Sequence, residues 1–212
     1  MITVLIDYGA GNLHSAEKAF QRMAREAHAG EVIVSDKAED VARADRIVLP
    51  GDGAFPACIQ ALKSDSSLFD ALLEAVEVKA RPFLGICVGM QLMALRGHEY
   101  QTTEGLGWIE GEVKRIKPSD PTLKIPHMGW NELIIDQPHP VLEGLESGDH
   151  AYFVHSYQME MNDIDQRIAH CDYGGPVTAI VGRDTMIGTQ FHPEKSQKAG
   201  LQLIRNWLEW RP

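Results

Sequence analysis

Cysteine is scarce in this chain. Three are present, Cys58, Cys87 and Cys171. A small, odd number makes no disulfide framework, and a reducing compartment is its natural setting. Basic residues are in deficit as well. Twenty Lys and Arg against 30 Asp and Glu leave a formal net charge of -10 over 212 residues. That balance argues against a large surface for nucleic acid or anionic membrane. No apolar run is long enough to span a bilayer. The first residues pass from Met1 straight into Ile2-Thr3-Val4-Leu5-Ile6, without the basic segment or small-residue cleavage site of a signal peptide. A cytoplasmic protein with no membrane or nucleic-acid partner is therefore expected. Internal repeats, low-complexity segments and obvious linkers are missing too. One domain over residues 1–212 follows. No His/Cys/Asp/Glu cluster has metal-ligand spacing, so neither a metal site nor a cofactor is expected.

What is present begins with an ordinary globular share of hydrophobic residues, 44%. Residues 2–7, 31–35 and 45–49 read as short buried strands, and a fourth opens at Pro82. Helical spacing lies between them: Ala16, Ala19, Phe20 and Met23 form one apolar face, followed by segments at 38–42, 56–62 and 68–80. Strand–helix alternation predicts a mostly parallel sheet flanked by helices, an α/β fold. Past residue 97 the pattern turns β-rich and partly antiparallel. Strands are expected at 105–108, 112–116, 131–135, 151–160, 167–171, 177–181 and 186–191. A helix over 196–210 closes the chain, with Leu201, Ile204, Trp207 and Leu208 as its apolar stripe.

The chemistry centres on Gly85-Ile86-Cys87-Val88-Gly89. Small residues two before and two after Cys87 permit a sharp strand-to-helix turn that lifts one side chain off the sheet. The turn frees the Val88 N–H to face an oxyanion, and the helix dipole behind it favours a thiolate. A cysteine between two glycines can also be a core residue. The strand–helix switch makes the nucleophile the better reading. A nucleophile needs a base, and the base an orienting group. Gln190-Phe191-His192-Pro193-Glu194 offers both at a strand end, where alternation puts His192 and Glu194 on one side. The other histidines have no acid at such spacing. Gly9 and Gly11 lack the third glycine of a dinucleotide fingerprint and read as a strand–helix turn.

Together, Gly85-Ile86-Cys87-Val88-Gly89-Met90-Gln91 and Phe191-His192-Pro193-Glu194 resemble the class I (triad) glutamine amidotransferases, in the right order along the whole chain. Four stretches narrow the likeness: Asp7-Tyr8-Gly9-Ala10-Gly11-Asn12-Leu13, Leu49-Pro50-Gly51-Asp52-Gly53-Ala54-Phe55, Pro126-His127-Met128-Gly129-Trp130-Asn131 and Tyr152-Phe153-Val154-His155-Ser156-Tyr157. These resemble the glutaminase subunits of imidazole glycerol phosphate synthase. Asp52 stands where that loop more usually has a small apolar residue.

The resemblance implies hydrolysis of glutamine by Cys87, with His192 as base and Glu194 as its orienting partner. It implies oxyanion donors from Val88 and from the Gly51, Asp52 and Gly53 loop, where a peptide flip completes the hole. Substrate contacts are expected from Gln91, Gly53, His155, Ser156 and Tyr157. The implied partner is a cyclase subunit with a (β/α)₈ barrel, in a heterodimer that uses the ammonia to make imidazole glycerol phosphate and AICAR in histidine biosynthesis. Its docking face would include Asn12, His127, Met128, Trp130, Tyr152 and Lys195. Other readings are a glutaminase subunit for anthranilate or pyridoxal phosphate synthesis, a partner-independent γ-glutamyl hydrolase, and a non-catalytic binding subunit of the same fold.

Overall fold

The computed structural model describes residues 1–9 and 13–212; Asn12 lies outside the described residues. The first half alternates as expected: β1 Ile2–Ile6, α1 Leu13–Glu26, β2 Glu31–Ser35, α2 Ala38–Arg43, β3 Arg46–Gly51, α3 Phe55–Ser64, α4 Ser66–Leu73, β4 Phe83–Cys87 and α5 Val88–Leu92. The second half adds β5 Ala94–Gly97, β6 Thr103–Glu104, β7 Ile109–Arg115, β8 His127–Glu132, β9 Ile134–Ile135, β10 His150–His155, β11 Tyr157–Met161, β12 Arg167–Asp172, β13 Pro176–Arg183, β14 Met186–Thr189 and α6 Gln197–Glu209.

The main sheet has eight strands in the order β2-β1-β3-β4-β14-β13-β12-β9. Its first five are parallel and the remaining three join antiparallel. Strands β3 and β4 are buried along their whole length. Both faces of these strands are therefore covered, which explains the apolar run Ile47-Val48-Leu49 in β3 and the run Phe83–Cys87 of β4. The chain moves left from β1 to β2 and then right to β3 and β4, so right-handed crossovers put α1 on one face and α2 to α4 on the other. Helix α6 shares the face of α1, where Trp207 meets Phe20 edge-on at 6.0 Å. A four-stranded sheet, β11-β7-β5-β6, and the β8–β10 hairpin-like pair complete the second half.

Several expected elements differ. Residues 105–108 are not a strand. The Leu106, Gly107 and Trp108 N–H groups donate to carbonyls of Leu92, Ala94 and Met93, so this segment is stitched to the back of α5 and β5 instead of joining a ladder. The stretch 151–160 is two strands. Strand β10 pairs with β8 and β11 with β7, and the chain changes sheet at Ser156. Residues 131–135 split likewise between β8 and β9. On α6 the buried stripe runs through Leu203, Ile204, Trp207 and Leu208, and Leu201 is half-buried.

The elbow is fixed by contact between backbones. A Cβ on Gly89 would lie 1.8 Å from the Leu49 carbonyl oxygen, and one on Gly85 would lie 2.6 Å from the Gly89 carbonyl oxygen. Only hydrogen fits between β3, β4 and α5 at these points. Gly89→Ala therefore cannot be absorbed by a side-chain shift. It should cost about 3 kcal/mol or more, the upper end for overpacking. Urea unfolding measures this, and a stability equal to wild type would show that α5 can move away from β3.

Candidate active site

Parallel strands place their C-terminal ends on one edge, and reactive groups collect there. Cys87 ends β4. Its neighbours on that edge are Gly51, its register partner at the end of β3, and the segment after β14 that carries His192. The sheet order β3-β4-β14 thus sets Cys87 between a glycine-rich loop and the segment that carries His192. Cys87 is 5% exposed and adopts φ 55°, ψ -111°. Such left-handed backbone is strained for a residue with a Cβ and persists only where the surroundings impose it. Here the close-packed glycines do so. Helix α5 has only five residues, so the macrodipole expected to favour the thiolate is replaced by the free N–H groups of its first turn.

His192 Nδ1 donates to Glu194 Oε1 at 2.8 Å, which leaves Nε2 for the Cys87 side. Glu194 does not reach this position by strand alternation. Strand β14 ends at Thr189, and Pro193, Glu194 and Lys195 form a 3-10 turn that curls the carboxylate back onto the ring. Burial disfavours the imidazolium, yet hydrogen bonding and negative charge from Cys87 and Glu194 outweigh it and push His192 up to about 10. The arrangement favours an imidazolium at His192.

The Pro50–Gly53 loop closes the other side. Beneath it lie Tyr8 and Cys58, both buried. Burial, foremost, pushes the Cys58 thiol up to about 11, so it remains a donor and contacts the Asp52 carbonyl at 3.6 Å. Tyr8 is raised by burial and then by its thiol neighbours, and its hydroxyl lies under Gly51, 2.8 Å from where a Cβ would stand. Cys58 and Tyr8 therefore support the loop from below, a role the sequence reading leaves unassigned.

A cavity of about 220 Å³ opens in front of Cys87. Asp52, Gly53, Val88, Gln91 and the residues 155–157 line it, together with Glu99. The sheet change at Ser156 is what turns His155, Ser156 and Tyr157 toward this space. One oxygen of Glu99 accepts from the Phe55 N–H at 2.8 Å and so caps α3. Its presence here has no signal in the sequence pattern.

Hydrogen bonds behind the cavity run in one forced direction. A carbonyl can only accept, so His155 Nδ1 donates to Tyr157 O at 2.8 Å. Neutral His155 then accepts on Nε2 from His127 Nδ1 at 2.9 Å, and His127 accepts on Nε2 from the Asn131 amide at 3.2 Å. Both histidines are neutral: burial holds His127 down to about 4 and His155 to about 3. Tyr157 O also accepts from Gln91 Nε2 at 3.1 Å. The sequence reading finds no partner for His127 or His155 because the two meet across β8 and β10 as a register pair. His98 gains an acid in the same way, with Glu112 at 3.0 Å, although this pair is partly exposed.

Of the residues expected at a docking face, Met128 (62% exposed) and Trp130 (46%) are on the surface, with Tyr152 set edge-on to Trp130 at 5.7 Å. Lys195 is exposed beside the triad turn. His127 is a correction. At 2% exposure, stacked between Phe153 at 4.8 Å and Tyr173 at 4.1 Å, it belongs to the support of the cavity and does not reach the surface. No described helix is long and apolar enough to cross a membrane.

A cysteine at a strained strand–helix turn beside a His–Glu pair is an arrangement suited to thiol-based acyl transfer. The model of the family described as Glutamine amidotransferase class-I matches residues 4–210, and the chain belongs to that family. Within it, a protein of Cereibacter sphaeroides named imidazole glycerol phosphate synthase subunit HisH is 69% identical over 212 residues, covering all of both chains. The protein of that name from Ruegeria pomeroyi is 64% identical over the same span. Among solved structures, one titled as a glutamine amidotransferase is 20% identical, covers 97% of each chain and superposes with a TM-score of 0.72, which speaks for the fold.

Neutral, buried His127 and His155 make stability depend on pH. The unfolded chain protonates them near pH 6.5, whereas the native state resists until about pH 4 and 3. Between these limits the unfolded state binds more protons. Stability is therefore fully present above pH 6.5 and falls as pH falls, by up to about 1.4 kcal/mol per pH unit for each histidine. Urea unfolding at pH 7, 6 and 5 tests this. The destabilisation caused by His127→Asn should shrink toward pH 5, and a constant difference would contradict the neutral pair.

Proposed function

We propose that this chain is the glutaminase subunit of an imidazole glycerol phosphate synthase, a single amidotransferase domain that hydrolyses glutamine and passes the ammonia to a cyclase subunit. The observation that carries the chemistry is Cys87, held at a strained elbow between the glycine loop and the His192–Glu194 pair. The relatives at 69% and 64% identity support the subfamily.

Glutamine enters the cavity, whose volume of about 220 Å³ lies below the roughly 300–1,000 Å³ typical of larger ligands and suits a single amino acid. Both amide hydrogens of Gln91 are engaged, by Tyr157 O and Gln190 Oε1, so its oxygen is the atom left for the substrate ammonium. The Glu99 carboxylate lines the same space and adds negative charge there. The Cys87 thiolate attacks the amide carbon. The Val88 N–H meets the developing oxyanion, with a second donor from the Gly51–Gly53 loop after a peptide flip. His192 gives its proton to the departing ammonia and then takes one from the water that resolves the thioester to glutamate. Glu194 holds the tautomer throughout.

The partner reading rests on Met128 and Trp130, large apolar side chains exposed on one face of β8, where the carbonyl of Tyr152, the register partner of Trp130, accepts from the His192 N–H at 3.0 Å. We infer a barrel cyclase in a heterodimer, in histidine biosynthesis and in the cytoplasm. The seal between subunits would keep ammonia from water.

Glutamate release, measured with and without the cyclase and a ligand for it, tests the reading. Strong stimulation by the liganded cyclase is expected, and high activity indifferent to the cyclase would overturn the partner. Cys87→Ala should abolish hydrolysis, and turnover that survives it removes the mechanism. Trp130→Ala should weaken cyclase binding by about 2 kcal/mol, roughly thirtyfold, with hydrolysis-independent folding intact. Calorimetric titration reads this, and an unchanged affinity would move the docking face elsewhere.

A further inference from the structure

Gln190 follows β14, is 0% exposed, and has a side chain that no step above uses directly. Its atoms are assigned by elimination. Tyr157 O accepts, so the Gln91 atom beside it is Nε2. Gln91 Nε2 then donates its second hydrogen, and the Gln190 atom at 3.0 Å must be the acceptor Oε1. That choice turns Gln190 Nε2 toward Cys87 Sγ at 3.8 Å. The backbone N–H of Gln190 donates to Ala179 O at 2.8 Å and fixes the residue to the sheet. A buried amide would not stay here without partners, and these are the partners it has.

We propose that Gln190 is a positioning residue that joins the nucleophile to the substrate seat: its oxygen holds Gln91 in the orientation that presents an acceptor to the substrate ammonium, and its N–H group faces the Cys87 sulfur and favours the thiolate. The inference rests on Cys87 being the nucleophile and Gln91 a substrate contact. It separates the two halves of one amide. An N–H close to sulfur stabilises negative charge there, whereas the oxygen acts only through Gln91. A core glutamine kept for packing would do neither.

Two substitutions divide these roles. Gln190→Met removes both hydrogen bonds at similar volume. Gln190→Glu keeps an acceptor for Gln91 and replaces the N–H donor with oxygen. Far-UV circular dichroism and cyclase binding first establish that each variant is folded. Iodoacetamide labelling of Cys87 in the full chain, followed against pH by peptide mass spectrometry, then reports the thiolate. Glutaminase kinetics with the liganded cyclase report the substrate seat. In Gln190→Met the labelling midpoint should rise by about one pH unit and KM by about tenfold. In Gln190→Glu the midpoint should rise at least as far while KM moves less. A folded Gln190→Met variant with the wild-type midpoint, or with the wild-type KM, overturns the proposal. Wild-type chain whose Cys87 does not label at all would instead remove the nucleophile assignment on which it rests.

Discussion

Everything at the site depends on how closely two backbones approach. Strand β3 and the start of α5 touch at Leu49 and Gly89 with no room for a methyl group, and β4 is drawn up beside them through Gly85. That contact leaves the chain one way to leave β4, through a left-handed residue, and Cys87 occupies it. Strain at one residue is tolerable because the glycines on each side have no alternative packing that keeps β3 and β4 in register. Sulfur is thereby lifted off the sheet edge, and the next N–H is left without a helical partner. The raised sulfur and the free N–H beside it are two consequences of one packing constraint.

Around that point the polar groups are ordered by donor–acceptor logic more than by charge. Tyr157 carries the decisive carbonyl. It accepts from His155 and Gln91 together, and each of these then dictates the next assignment, outward to His127 and Asn131 and inward to Gln190. Burial enforces the outward arm by keeping both imidazoles neutral, since a proton added to either would leave two donors facing each other. The triad obeys the opposite rule. There burial is overcome, because Cys87 and Glu194 both favour an imidazolium between them. The His127–His155 pair and His192, near enough for His192 to act on His155, are thus held in opposite charge states by their neighbours.

Much of this was legible in the sequence where its cause is local. Strand–helix alternation, the glycines flanking Cys87 and the His192–Glu194 spacing are short-range signals, and the structure brings those residues together. Reasons were less secure than positions. Glu194 reaches His192 through a 3-10 turn, and α5 is too short for the dipole ascribed to it. The features that stayed hidden are non-local. Gln91 meets Gln190 across 99 positions and Tyr157 across 66, and His127 meets His155 across 28. No periodicity reports such pairs. The sheet change at Ser156 was hidden for a related reason: residues on either side are good strand formers, and only their pairing with different partners, β8 and β7, shows the break.

Strand β8 connects surface and site. Neighbouring residues on a strand face opposite ways, so the buried His127 is followed at once by the exposed Met128, and Trp130 stands two residues further on. His127 sets the orientation of His155, which sets the carbonyl that Gln91 reads. The apolar surface and the polar support of the cavity are therefore adjacent positions of one six-residue strand. A protein that grips Met128 and Trp130 grips the strand whose first side chain, His127, supports the cavity wall, and no longer route through the core is required to link the two.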